Sequence, residues 1–195
     1  MSNKNISSFF EVYAHEYDIL TNASQREKYH RKEIQSMIDR FKPATVLDAG
    51  CATGLSAKLF AEYSITSIGL DRSRKMVKIA KGKYKNLKKH LTFTYGYFEN
   101  LPRSMYNKFD LVVCLGNSIS GVGSISSLRK SLKNFYFVLK PGGSLILQML
   151  NYSVLKENQM FPIRATENNG IVYERFSERR SNRLYVYITR LDLKH

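Results

Sequence analysis

The chemistry-bearing stretch of this chain is Val46-Leu47-Asp48-Ala49-Gly50-Cys51-Ala52-Thr53-Gly54. Its apolar start reads as a strand, its small residues as a tight turn, and Leu55 as the opening of a helix. Gly50 and Gly54 permit positive φ and close backbone approach, and the unpaired N–H groups of a helix start can hold a polar ligand tail. The same arrangement also serves as plain strand-to-helix packing. Asp71 strengthens the ligand reading, because it closes Gly69-Leu70-Asp71 at the end of the next strand. An acid about 20 residues past such glycines is placed to accept both ribose hydroxyls. Its structural alternative is a carboxylate facing the N-terminal end of the following helix. Leu55 stands where a dinucleotide fingerprint has its third glycine, and no GxxxxGK[ST] phosphate loop is present. A ligand with a ribose and no phosphate fits better, which points to S-adenosylmethionine.

These residues need a scaffold, and the apolar pattern supplies one. The chain has 195 residues, 43% of them hydrophobic, enough for one globular core and too many for a disordered chain. Strands are expected at Thr45–Ala49, Thr66–Leu70, Leu91–Tyr95, Phe109–Leu115 and Ser144–Leu150. Helices are expected at Leu55–Tyr63, Ser73–Leu87 and Ser124–Leu139, the last closed by Pro141-Gly142-Gly143. Short apolar runs without alternation suggest strands buried on both faces. The fold class is therefore α/β, a doubly wound, mostly parallel, Rossmann-like sheet. Two helices, Ile6–Leu20 and Ser24–Phe41, precede it. An antiparallel hairpin, Gly170–Glu178 with Leu184–Leu193 around Ser181-Asn182, follows it. The expected organisation is a helical lid over 1–42, a cofactor-binding core over 43–152, and an antiparallel segment over 153–195.

In order and spacing, Val46–Gly54, Gly69–Ala80, Gly96–Pro102, Phe109–Ser118 and Leu139–Gly143 resemble the motifs of class I S-adenosylmethionine-dependent methyltransferases. The resemblance covers about half the chain. It implies that Asp48, Gly50, Ala52 and Gly54 surround the methionine part of the cofactor and that Asp71 binds its ribose. Met76 would pack near the adenine, Tyr97 and Phe98 would hold it by stacking or backbone contacts, and Leu115 would floor the pocket. Ala52 replaces the usual middle glycine, and Tyr97 stands where many relatives have an aspartate. The sequence is most similar to the glycine N-methyltransferase-like, small-molecule branch, through Cys114–Ser118, Leu132-Lys133-Asn134, Asn151-Tyr152 and Tyr13-Ala14. There Asn117 would orient the acceptor, Tyr13 would lie on a lid, and Arg26 would contact the acceptor's carboxylate. A turn-capping Asn117, a core Tyr13 and a solvated Arg26 are the structural alternatives. Leu150 and Gly121 replace that branch's glycine-binding arginine and its histidine, so glycine itself is not the expected substrate. The sulfonium makes the methyl electrophilic, so alignment and water exclusion matter more than a base. His15 and His30 are the upstream candidates for one.

Charge is the compositional outlier: 31 Lys+Arg against 16 Asp+Glu give +15. From Arg72 to Lys89 there are nine Lys/Arg and no acid. This is either a solvated helix face or a nucleic-acid contact surface. A small-molecule methyl acceptor is the expected partner, with an RNA methyltransferase or a non-catalytic S-adenosylmethionine-binding partner subunit as alternatives. Cys51 and Cys114 suit a reducing compartment as two small buried thiols, no metal-ligand spacing is seen, and the apolar runs are too short to span a membrane. The N-terminal stretch has no secretory apolar core, so a cytoplasmic location is expected. The resembled family completes its sheet with two further strands. Either the hairpin supplies them or the chain is a shortened piece, the second being the expectation here.

Overall fold

The computed structural model describes residues 10–181 and 183–193. The chain divides into two compact units, one containing residues 24–149 and the described residues up to 17, the other residues 18–23 and the segment from 150 onward.

The first unit is built on five parallel strands in the order β3-β2-β1-β4-β5. They are β1 (Thr45–Ala49), β2 (Thr66–Asp71), β3 (Leu91–Tyr95), β4 (Phe109–Cys114) and β5 (Leu139–Leu147). Alternate side chains of β1 and β4 enter opposite layers. Val46, Leu111 and Val113 pack with Ile34, Leu59 and Phe60. Leu47, Ala49, Val112 and Cys114 pack with Phe135 and Val138. Burial on both faces is why these strands read as continuous apolar runs.

Four helices cover the sheet: α1 (Ala23–Phe41), α2 (Leu55–Glu62), α3 (Arg74–Lys83) and α4 (Ile125–Val138). In α2, six of eight residues are buried, because it meets Ile34 on one side and Val77 and Phe93 on the other. The Ser73 hydroxyl caps α3 by accepting from the Met76 N–H (3.1 Å), and Ser124 caps α4 through Ser127 (3.0 Å). Each cap stabilises its helix by about 1 kcal/mol.

Three expectations are corrected. The helix expected over Ser73–Leu87 leaves α-geometry at Tyr84 (φ −115°) and ends in a 3-10 turn at Lys85–Leu87; the Tyr84 ring packs against Phe93, centroids 6.2 Å apart. The fifth strand starts at Leu139, five residues before the expected Ser144, and ends at Leu147. Pro141-Gly142-Gly143 forms an irregularity within it, where pairing jumps from Phe109↔Leu139 to Leu111↔Ser144. The continuous helix over Ile6–Leu20 is broken: a turn separates the residues before Tyr13 from a four-residue helix at Tyr17–Leu20, and its positions 6–9 lie outside the described residues.

The second unit is a three-stranded antiparallel sheet, β6 (Met160–Asn168), β7 (Ile171–Arg180) and β8 (Arg183–Asp192). The expected hairpin is β7–β8; Asn182 of its turn lies outside the described residues. It joins β6 rather than the parallel sheet, so it does not supply the further strands considered above. β6 has no counterpart among the strands expected above, and Pro162 lies within it. The signal that could have revealed it is Asn169-Gly170, a two-residue turn with both φ positive (53° and 80°).

Candidate cofactor and acceptor site

The parallel sheet winds outward in both directions from β1, so the crevice beyond the carboxyl ends of β1 and β4 is where an open α/β sheet takes a ligand. The turn after β1 rises into that crevice. Gly50, Ala52 and Gly54 have φ of 85°, 47° and 91°. The Gly50 and Cys51 N–H groups both donate to the Leu70 carbonyl (2.7 and 3.0 Å), which ties the turn to β2. Ala52 adopts the left-handed backbone without being glycine, a conformation that strains any residue with a Cβ.

Asp71 completes the strap. One carboxylate oxygen accepts from the Ala52 N–H (2.8 Å) and the other from the Ser73 N–H (2.8 Å). Burial raises its pKa against the pull of these two donors. Asp48, 2% exposed, lies beneath the turn and accepts from the Ala57 N–H in α2 (3.0 Å). Burial, reinforced by the charge of Asp71, pushes its carboxyl up to about 7, while the Ala57 N–H and the Arg26 charge oppose this. Two acids with raised pKa thus flank one turn in a chain of net charge +15. Such clustering favours a cationic ligand or a ligand rich in hydroxyl donors.

The rim comes from the other strand ends. A Cβ on Gly50 would lie 2.5 Å from the Ser118 Cβ and 3.3 Å from the Phe98 ring, so only glycine lets these three segments converge. The Ser118 hydroxyl donates within the β4 loop to the Leu115 carbonyl (2.9 Å) and lies 3.3 Å from the Gly50 carbonyl oxygen. Phe98 packs on Phe135 at 5.4 Å, and its carbonyl accepts from the Asn134 side chain (2.8 Å). Tyr97 is 47% exposed, and its hydroxyl accepts from that of Tyr95 (3.0 Å).

Met76 is buried beside the end of β2, 1% exposed. Leu115 is turned into the core with Ile34 and Leu59. Asn117 sits at φ 72° ahead of a 3-10 turn, Ser118–Gly121, and its side chain does not cap that turn. Arg26 lies over the Tyr17 ring at 5.9 Å and within electrostatic reach of Asp48. Tyr13 is partly buried and His15 exposed. His30 pairs its Nδ1 with the Ser56 hydroxyl (3.2 Å), and burial lowers its pKa. Cys51 and Cys114 are buried and free, with burial pushing Cys114 up to about 12.

Three residues escaped sequence reasoning. Ser118 fills the space above Gly50. Phe93 occupies the room left by Gly54 and Gly69, its ring 2.5 Å from a Cβ at either. Arg72 donates to the Gly121 carbonyl (3.1 Å), joining the end of β2 to the β4 loop, with Phe10 beside it at 5.9 Å. Only the Gly69 signal was readable, as a glycine inside an apolar strand. Among the described residues no cluster of metal-ligating side chains is found and no helix is long and apolar enough to cross a membrane.

Residues 46–143 match the family described as methyltransferase domain. Glycine/sarcosine N-methyltransferase of Aphanothece halophytica is 28% identical over 149 residues, 76% of this chain and 56% of that protein. Glycine N-methyltransferase of Mus musculus is 31% identical over 121 residues, 56% of this chain and 41% of that one. The chain thus spans about half the length of the curated relatives it matches. Among solved structures, DesVI of Streptomyces venezuelae superposes with TM-score 0.71 at 18% identity, covering 91% of this chain and 84% of that one. The S-adenosylmethionine-bound CalS10, an amino pentose methyltransferase from Micromonospora echinaspora, gives 0.69 at 19% identity, covering 89% and 81%. These two likenesses show the fold.

Proposed function

Because the chain belongs to the methyltransferase domain family, in its class I, S-adenosylmethionine-dependent form, we propose that it transfers a methyl group to a nitrogen of a small-molecule acceptor. The observation that carries this reading is the Gly50–Gly54 turn strapped at Ala52 to the partly buried Asp71, with the buried Asp48 beneath it. The turn glycines let the Ser118, Phe98 and Phe93 side chains close in around the turn, and the two acids suit a donor that is cationic at one end and carries ribose hydroxyls at the other. Residues and cofactor therefore fit.

In this reading Asp71 accepts the ribose hydroxyls through lone pairs left free by its two backbone donors. The glycine turn takes the methionine part, Tyr97 and Phe98 border the adenine, and Met76 lies behind it. When bound, the cofactor supplies an electrophilic methyl on its sulfonium. The chain's own task is to bring the acceptor nitrogen in line and keep water out. The amine must be neutral to attack. Desolvation and the positive charge of Arg26 both disfavour its protonated form, so no dedicated base is needed. Asn117 and Tyr13 orient the acceptor. The named relatives act on glycine or sarcosine, but Leu150 and Gly121 replace two polar residues of that branch, so the acceptor is a less anionic amine than glycine.

Calorimetric titration with S-adenosylmethionine and S-adenosylhomocysteine tests the cofactor. Binding should weaken at least tenfold in Asp71→Ala. Absence of binding by the folded chain would overturn the cofactor reading. Following S-adenosylhomocysteine formation over a panel of amines, amino sugars and hydroxyl compounds tests the acceptor. Turnover confined to hydroxyl compounds would sink the nitrogen assignment and leave the cofactor assignment standing.

A further inference from the structure

We infer that the outer face of α3 and the turn after it form a docking surface for the phosphate backbone of single-stranded RNA. Its cationic residues take no part in the methyl-transfer reading; Tyr97 at its edge is shared with it. The inward side of α3 is used up: Met76 and Ala80 are buried, and Val77 packs with Phe93. What remains outside is cationic. Arg74, Lys75, Lys78, Lys81, Lys85 and Lys88 are all exposed and form no ion pair among the described residues. No carboxylate interrupts Arg72–Lys89.

Two cations of α1 and α2 are neutralised by carboxylates. Lys58 and Arg31 each contact both Glu27 and Glu62 at 2.8–2.9 Å. Arg74, Lys75, Lys78 and Lys81 on α3 have no such carboxylate partner among the described residues. Arg74, Lys78 and Lys81 recur at the three- and four-residue spacing of one helix face, and Lys85 and Lys88 follow in and just after the 3-10 turn. At about 1.5 Å per residue the three helical positions line up over about 10 Å, and the turn carries the charge further along the chain.

Charge alone would attract any polyanion, and two observations favour a single-stranded nucleic acid, RNA being the strand taken here. The apolar stripe of α3 is packed into the core, so the helix cannot lay an apolar face into a bilayer as surface-binding helices do. At the patch's edge the Arg74 guanidinium lies 3.9 Å from the centroid of the Tyr95 ring, and Tyr95 meets the half-exposed Tyr97 edge-on at 5.7 Å. Aromatic and guanidinium planes beside a basic groove stack unpaired bases without regard to sequence.

The experiment is fluorescence anisotropy of a labelled 20-nucleotide single-stranded RNA against the full chain from 50 to 300 mM KCl. The test variant is Lys78→Glu/Lys81→Glu/Lys85→Glu/Lys88→Glu. The control is Lys28→Glu/Lys32→Glu/Arg129→Glu/Lys130→Glu, which lowers net charge equally from exposed positions on α1 and α4. The test variant should lose at least tenfold in affinity, and its log–log salt slope should fall by about 3, as expected for four lost phosphate contacts on a single strand. The control should change affinity less than threefold. Equal losses in both variants would overturn the proposal in favour of net charge alone. Vesicles of anionic phospholipid that displace the RNA stoichiometrically from the native chain would overturn it in favour of a membrane surface. Circular dichroism of both variants, and of the milder Lys81→Glu/Lys85→Glu, ensures that lost binding reflects the surface and not misfolding.

Discussion

Replacing Asp48 by asparagine should make this protein more stable at neutral and alkaline pH, and the gain should vanish in acid. Asp48 is buried, with its carboxyl raised from 3.8 to about 7. A carboxyl with a higher pKa folded than unfolded binds more protons in the native state between those two values. Its contribution is therefore most favourable below pH 4 and is lost as pH rises towards and through 7. At about 1.36 kcal/mol per pH unit, ionised Asp48 destabilises the fold by about 4 kcal/mol at pH 8. The asparagine of Asp48→Asn would keep an oxygen for the Ala57 N–H and cannot ionise. Urea unfolding of both proteins from pH 4 to 8.5, followed by circular dichroism, gives the difference directly. Asp71 also has a raised pKa, but its effect is common to both proteins and largely subtracts. The difference should climb from near zero at pH 4 to several kcal/mol at pH 8. A flat difference, or one that grows in acid, would refute the reasoning. A saturating cationic ligand that lowers the folded-state pKa of Asp48 should end the rise at lower pH and make it smaller.

Other consequences follow from single contacts. Ala52→Gly relieves a left-handed residue at φ 47°; release of about 1–2 kcal/mol of strain against about 0.5–1 of added chain entropy should raise the melting temperature by a degree or more, whereas a lowered one would mean the turn relies on the alanine methyl. Asp110 accepts from the Ala44 and Thr45 N–H groups, the Thr45 hydroxyl and Lys140 at 2.8–3.0 Å. Although burial alone would raise its carboxyl, Lys140 and Thr45 hold it below the usual range, so its stabilisation is present above pH 4 and lost on acidification. Asp110→Ala should destabilise by about 2–3 kcal/mol at pH 7, and acid titration of both proteins should show the deficit shrinking below pH 3. Gly69→Ala drives a methyl to 2.5 Å from the Phe93 ring and should destabilise by about 1–3 kcal/mol. A double-mutant cycle with Phe93→Leu should recover part of that loss, and strict additivity would show that Phe93 is not the obstacle.

The parallel core was legible because its signals are local. Thr45–Ala49 and Leu91–Tyr95 form strands with the expected bounds, and apart from β5 the other core elements begin and end within a few residues of expectation, since strands buried on both faces must be apolar throughout. The two turn glycines and Asp71 were legible for a related reason: only certain residue types fit those backbone positions. Tertiary structure decided the rest. Ser118 meets Gly50 across 68 residues, and Arg72 meets Gly121 across 49. Both meetings depend on a sheet order that sets β1 between β2 and β4, which periodicity within a segment cannot reveal. Pro141-Gly142-Gly143 became an irregularity inside β5 rather than a stop, because pairing with β4 on both sides outweighed its local preference. Asp48 illustrates the division most clearly. Its position in a strand was fixed by its apolar neighbours, but its raised pKa comes from burial under the turn and from Asp71 on the adjacent strand. Electrostatics depends on distance and desolvation in space, and neither is written in the spacing of residues along the chain.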